Sequence, residues 1–298
     1  MTDQSWDYDC IVIGAGAAGL MAAITSATRK RRTLLLEKNS KPGAKILMSG
    51  GTRCNLTQNT DIQGIISAYG KPGKFLHSAL AALTPSQLQQ FFNERGVPTK
   101  CEPSGKVFPQ SDRAQDVLAA LQDSLQQSGA ALKLKHAVTK IETTTTGFKV
   151  GTDSESFQSQ HILITTGGLS FPGCGTTGDG YPWCEQLGHT IVNTRPALVP
   201  LVTPTDSWVT QLQGITLADL KLTIRQPDST VGPSQRGSTL FTHFGISGPT
   251  AMNLSRVITA SPSQDALLIE FDFFPDSTWE QTRQRLTQEF RNQPKKQA

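Results

Sequence analysis

Apolar residues in this chain first gather in short unbroken runs. Cys10-Ile11-Val12-Ile13 is followed by an Ala-rich stretch from Gly19 to about Thr28, then by Thr33-Leu34-Leu35-Leu36. Apolar runs of this length, bounded by glycine or charge, predict strands buried on both faces, and the stretch between them predicts a helix. Farther on the rhythm turns helical. Thr84-Pro85-Ser86-Gln87 has the form of a capping box with proline at the first helical position, and Gly96 stops that helix. Asp112 and Gln115 predict another start, and Gly129 its stop. Leu132 to Val138 reads as a strand. Ile141-Glu142 and Phe148-Lys149-Val150 then flank a Thr-rich turn, which predicts a hairpin. His161-Ile162-Leu163-Ile164-Thr165 predicts one more buried strand, ending in Thr166-Gly167-Gly168.

From Pro196 the texture changes. Pro196, Pro200 and Pro204 punctuate a boundary, and strands are predicted at about Ala218 to Gln226, Gly237 to Phe241 and Leu267 to Phe273. One helix starts at Pro249, and another after Ser277, with Glu280 completing a capping box and Trp279, Leu286 and Phe290 forming a partial apolar stripe. The expected division is an α/β domain over residues 1–195 and an α+β domain over residues 196–298.

Composition narrows the class without naming a chemistry. With 298 residues and a mild net charge of +4, the chain can bury a sizeable core. Its densest basic run, Arg29-Lys30-Arg31-Arg32, falls where the first helix ends, where cations suit the helix dipole. A solvated face explains it better than a nucleic-acid patch. No apolar run approaches membrane-spanning length, and Met1 to Asp7 lacks the basic start of a secretion signal. Five scattered cysteines, an odd number, suit reduced thiols and a cytoplasmic setting.

The chemistry sits at the strand ends. Between the first strand and helix stands Gly14-Ala15-Gly16-Ala17-Ala18-Gly19. In this pattern Gly14 allows a tight turn, Gly16 lets the backbone approach a pyrophosphate, and Gly19 lets helix and strand pack closely. The helix start offers free N–H groups to phosphates. Glu37 ends the second strand, about 20 residues on, where a carboxylate bonds a ribose hydroxyl. Its charge would repel a 2′-phosphate, so an ADP moiety is expected. Val138 is placed to meet the adenine through its backbone, and Thr166, Gly167 and Gly168 the phosphate side.

After Glu37, a long loop from Lys38 to Thr60 has little periodicity and a glycine-rich centre. A loop of that length in a compact domain suggests function. It carries Lys45, Gly50, Gly51, Arg53, Cys54 and Asn55. Lys45 and Arg53 could stabilise negative charge on a reduced flavin or neutralise a pyrophosphate. Cys54 lacks a nearby partner thiol, so it reads either as a structural thiol or, more weakly, as a nucleophile. Thr176 to Tyr181 reads as a turn or as ligand lining. His243 reads as a packed histidine with a backbone partner or, more weakly, as a proton donor to substrate. No metal-ligand spacing is present.

These blocks, with Lys106-Val107-Phe108-Pro109, Pro196 to Leu201 and Phe241 to Pro249, occur in an order that resembles a bacterial flavoprotein family. It is often labelled the aminoacetone oxidase family of FAD-binding enzymes and includes BaiN-like 3-dehydro-bile-acid reductases. The resemblance implies a Rossmann-like FAD-binding domain with an inserted α+β domain beginning near Pro196. It also implies a bound FAD, with a small-molecule substrate and NAD(P)H as a candidate electron donor; the mild charge and the short apolar runs give no reason to expect a nucleic-acid or membrane partner. Substrate or nicotinamide would meet the flavin between the domains. Two departures stand out. Thr52 replaces a third glycine, a small change if its φ is negative. Family members also return to the FAD domain after the insertion, whereas this chain stops at Pro294 to Ala298. The FAD domain would then be incomplete in its C-terminal part, and the alternative expectation is an inactive flavoprotein with weak or absent FAD binding.

Overall fold

The first apolar run forms β1 (Tyr8–Ile13), which leads through α1 (Ala17–Thr28) to β2 (Thr33–Glu37). β1 and β2 pair in parallel, with Ile13 opposite Leu36. Their alternate residues enter two different cores. Val12 and Leu35 face a cluster with Leu20, Phe92 and Leu121, while Ile11, Ile13, Leu34 and Leu36 face one with Ile141, Val150 and Phe157. Both faces are covered, which is why the pattern is continuous rather than alternating. Each such buried side chain contributes about 1.5–3 kcal/mol.

A computed structural model describes residues 6–204, 207–226, 228, 230–261 and 267–292. The segments Met1 to Ser5 and Pro294 to Ala298 lie outside the described residues. Contacts divide the chain into two units, Met1–Ile191 and Val192–Ala298, a few residues before the expected boundary at Pro196.

In the first unit, the long loop after β2 holds α2 (Ala44–Met48) and β3 (Thr57–Gln58). α3 (Ile62–Tyr69), α4 (His77–Ala82) and α5 (Pro85–Asn93) follow. The capping box of α5 is complete: the Gln87 N–H donates to Thr84 Oγ1 at 3.2 Å, and the Thr84 N–H to Gln87 Oε1 at 2.8 Å. β4 (Thr99–Cys101) and β5 (Lys106–Pro109) join β3 in a small antiparallel sheet. Then come α6 (Ala114–Ser128), β6 (Ala131–Leu134), β7 (Val138–Thr143), β8 (Phe148–Thr152), β9 (Ser156–Ile164) and α7 (Gly180–Gln186). The main sheet has the order β6-β2-β1-β9-β8-β7. β9 pairs antiparallel with β8 and parallel with β1, so the hairpin is built onto a parallel sheet.

Two expectations here need correction. The strand expected from Leu132 to Val138 is broken, because Lys135 takes a left-handed φ of 58° and starts a second strand at Val138. α6 does not begin on a box at Asp112 and Gln115. Arg113 is its N-cap, without a side-chain bond, and the Asp112 carboxylate is drawn away to Lys100 and Arg53.

The second unit contains β10 (Leu201–Val202), α8 (Trp208–Gln211), β11 (Thr216–Arg225), β12 (Val231–Thr242), β13 (Gly245–Ser247), α9 (Pro249–Ala260), β14 (Leu268–Asp272) and α10 (Trp279–Asn292). Its antiparallel sheet runs β10-β13-β12-β11-β14. Leu220, Leu222, Ile224, Phe241 and Leu254 form its core. The capping box of α10 is formed by Thr278 and Gln281, one residue later than Ser277 and Glu280. Threonine at that place has its hydroxyl one turn from the Gln281 N–H. Trp279, Leu286 and Phe290 do form a stripe, and all three are exposed.

Candidate functional site

The carboxyl ends of β1, β2 and β9 meet above a cavity of about 480 Å³. That is where an open parallel sheet places a ligand. Gly14 makes the turn with φ 100°, and a Cβ there would stand 2.9 Å from the Thr165 carbonyl oxygen. A Cβ on Gly19 would meet the Gly14 carbonyl oxygen at 1.8 Å, so this glycine seats α1 against the turn and does not line the cavity. Gly16 is different. It lines the cavity with Ala15, Ala17 and Ala18, and a Cβ on it would meet nothing within 4 Å. α1 begins here without a side-chain cap or an acid in its first turn, which suits an anion. This open cradle over a helix N-terminus fits the pyrophosphate of FAD.

Glu37 closes the turn from the other side. Its buried carboxylate accepts the Ala15 N–H at 2.7 Å and the Asn39 N–H at 2.9 Å. An ionised carboxylate has about four acceptor positions, so capacity for a ribose hydroxyl is left. Lys38 lines the cavity and reaches Asp179 at 2.6 Å and the Thr177 hydroxyl at 2.8 Å. Lys45 also lines it and donates to the Ser170 carbonyl at 2.8 Å. Two cations thus tie the segment after β9 to the loop after β2. Burial would raise the Asp179 carboxyl, but hydrogen bonds from Lys38 and Thr177 outweigh it and hold the group below its ordinary value.

At the other end, Val138 lines the cavity beside His136 and Ala137. The motif-based reading did not include His136. Its Nδ1 lies 2.8 Å from the Leu134 carbonyl and its Nε2 2.9 Å from Glu155. Its place two residues before Val138 was the only available signal. Thr166 and Gly167 line the cavity; Gly168 does not, and packs against Tyr181. Thr176 and Asp179 line it as well, while glycines 178 and 180 let that turn pack closely.

The glycine-rich loop divides. Cys54 and Asn55 line the cavity, whereas Gly50, Gly51 and Arg53 do not. Arg53 was expected near the cofactor. Instead its guanidinium bonds Glu102 at 2.6 Å, lies 3.5 Å from Asp112 and stacks 4.0 Å over the Phe108 ring. Thr52 has a φ of 71°, so the condition under which its replacement of glycine would be a small change is not met, and this side chain sits in backbone that favours glycine. Burial pushes the Cys54 thiol up, despite a hydrogen bond with Ser49. That opposes a thiolate and favours the structural reading. His243 belongs to the second unit, where it is exposed with its ring edge-on to Phe244 at 4.9 Å, rather than packed inside. Among the described residues there is no cluster able to hold a metal ion, and no helix is long and apolar enough to cross a membrane.

The family profile described as HI0933-like protein Rossmann domain matches residues 8–260. A ribosomal RNA dihydrouridine synthase of Escherichia coli (strain K12) is 33% identical over 255 residues, covering 83% of this chain and 60% of that protein. The protein of the same name from Haemophilus influenzae is 33% identical over 276 residues, 91% of this chain and 65% of its own length. A 3-dehydro-bile acid delta(4,6)-reductase of Clostridium scindens is 27% identical over 275 residues, 91% of this chain and 66% of that protein. The chain therefore spans 60 to 66% of the length of these curated relatives.

Proposed function

Since the chain belongs to the HI0933-like Rossmann family, a family of FAD-binding oxidoreductases, we propose that it binds FAD in the cavity above β1, β2 and β9 and serves flavin-dependent reduction. The observation that carries this reading is the open cradle at Gly16, at the uncapped start of α1, with Glu37 fixed beside it. Gly14, Gly16 and the first N–H groups of α1 hold the pyrophosphate. Glu37 takes the adenosine ribose, and its charge disfavours a 2′-phosphate at that end. Val138 meets the adenine through its backbone. Thr166, Gly167, Lys45 and Asn55 lie toward the remainder of the cofactor.

When bound, FAD supplies a two-electron carrier that exchanges a hydride with substrate or nicotinamide. Lys45 then offers a positive charge on the cavity wall, which favours the more negative reduced cofactor. Cys54 contributes an uncharged thiol and helps to exclude water. NAD(P)H is the proposed electron donor.

The proposed substrate is a small molecule with a reducible carbon–carbon double bond. A second reading, favoured by the names of the two relatives at 33% identity, is a uracil base in ribosomal RNA. Dihydrouracil and a saturated ring ketone are both reached by adding two hydrogens to a double bond next to a carbonyl. Titration of FAD into the apo-protein tests cofactor binding. Turnover with NADPH against a conjugated cyclic ketone and against a uridine-containing ribosomal RNA fragment then separates the substrates. Absence of saturable FAD binding would overturn the proposal.

A further inference from the structure

The segment from Ser49 to Asn55 is held in an unusual backbone. Gly50, Gly51, Thr52 and Cys54 have φ values of 58°, 66°, 71° and 66°, so four of five consecutive residues are left-handed. Two of the four are not glycine, and such strain persists only where the surroundings impose it. The loop is closed by the Cys54 N–H on the Ser49 carbonyl at 3.0 Å. It is also tied to α6, whose first N–H, on Ala114, donates to the Thr52 carbonyl at 3.0 Å.

A third set of contacts is made by residues that do not line the cavity. Phe108 on β5 is buried, and Gly50 is pressed against it: a Cβ there would come within 2.8 Å of the ring. The Arg53 guanidinium covers the same ring at 4.0 Å. Glu102 and Asp112 hold that guanidinium, and Lys100 shares Asp112. Between the Gly50 contact and the Arg53 stack, the chain is turned so that Cys54 is 6% exposed and lines the cavity with Asn55.

We propose that Arg53 is a positioning residue: its guanidinium, fixed by Glu102 and Asp112 over Phe108, clamps the strained loop and so presents Cys54 and Asn55 to the cofactor cavity. The inference rests on reading that cavity as the FAD site. A guanidinium between two carboxylates has its charge neutralised locally, which suits a clamp better than a phosphate ligand. Its planar fork and its stacking face are both in use, and lysine supplies neither.

The test uses the 298-residue apo-protein treated with iodoacetamide, with labelling at each cysteine followed by peptide mass spectrometry. Cys10, equally buried in the sheet and 7% exposed, is the internal control. Arg53→Ala should speed Cys54 labelling about five- to tenfold, the combined scale of a cation–π contact and partly exposed ion pairs, and Glu102→Gln, which removes one ion pair, about two- to fivefold. Cys10 should stay at its wild-type rate. Arg53→Lys, which keeps a charge but loses the planar fork and its flat face, should label faster than the wild type and no faster than Arg53→Ala. Both Arg53→Ala and Glu102→Gln should weaken FAD in titrations.

Unchanged Cys54 labelling, full protection in Arg53→Lys, or a joint rise of Cys10 and Cys54 would overturn the clamp. So would tighter FAD binding in Glu102→Gln, the result expected if Arg53 were a cation for the cofactor. Wild-type protein that takes up no FAD would sink the functional reading, while the labelling comparison would still decide on the clamp.

Discussion

Glu37 and Ala15, twenty-two residues apart, are joined by a buried hydrogen bond of 2.7 Å from the Ala15 N–H to the Glu37 carboxylate. The residue expected to recognise a ribose thus also fixes the turn proposed to receive the pyrophosphate. Glu37→Ala should therefore weaken FAD by about ten- to a hundredfold, since a hydrogen bond to a charged group contributes about 1.5–3 kcal/mol. It should also lower the stability of the apo-protein, because the Ala15 N–H loses its acceptor. Glu37→Gln keeps an acceptor for Ala15 and should spare stability more than affinity. Calorimetric titration and thermal melts of the three proteins check this; equal FAD affinity in all three would contradict it.

Two glycines of one motif should fail in different ways. Gly14→Ala meets both a left-handed φ and the Thr165 carbonyl, and should cost more than about 1 kcal/mol of folding stability. Gly16 has a φ of −78° and open space where a Cβ would stand. Gly16→Ala should melt like the wild type and bind FAD more weakly. A melt and a titration on each variant are sufficient, and a folding defect in Gly16→Ala would be the contrary result.

That contrast marks what could be read from the sequence. The strand–turn–helix–strand unit, the capping box at Thr84 and the hairpin around Thr143 to Phe148 are local patterns, and each appears where the pattern puts it. Arg53 was misplaced because its partners lie 49 and 59 residues away, on elements whose packing no local spacing encodes. The φ of Thr52 is not legible locally for a related reason. Its angle is imposed by a closed loop and by α6, against its own preference. His136 belongs to no local motif: it follows the left-handed Lys135, between β6, which pairs with the distant β2, and β7.

Asp179 gives a pH dependence with a defined sign. Its folded value lies below the ordinary carboxylate value, so the Lys38–Asp179 link contributes above the unfolded carboxylate range. That contribution is lost as pH falls through the lowered folded value. Amide exchange in the 170–179 segment, corrected for its intrinsic pH dependence, should stay slow through mild acid and rise only below the usual carboxylate range. Asp179→Asn should exchange fast throughout. A wild-type rise centred near neutral pH would contradict the assignment.

Cys54 should be dispensable for electron uptake. Its thiol is pushed up by burial and remains protonated at neutral pH. Cys54→Ser should leave bound flavin reducible by dithionite, with no thiolate–flavin charge-transfer band lost. Absorbance spectra across a dithionite titration decide this, and a band present only in the wild type would restore the nucleophile reading.

The place of β9 has a consequence in time. β1 is complete by residue 13, yet one of its two neighbours in the sheet is a strand that ends at Ile164. The floor beneath Gly14 includes Thr165, whose N–H donates to the Ile13 carbonyl at 2.9 Å. On the ribosome, β1 and the Gly14 turn emerge ahead of β9 and wait for roughly 150 more residues before that pairing can form. During that interval Ile11, Val12 and Ile13 present an apolar edge with a free ladder of backbone groups. Such distant pairing slows folding and leaves the nascent chain open to misassociation. The cavity beside Gly14 is therefore written well before β9 and finished only after it.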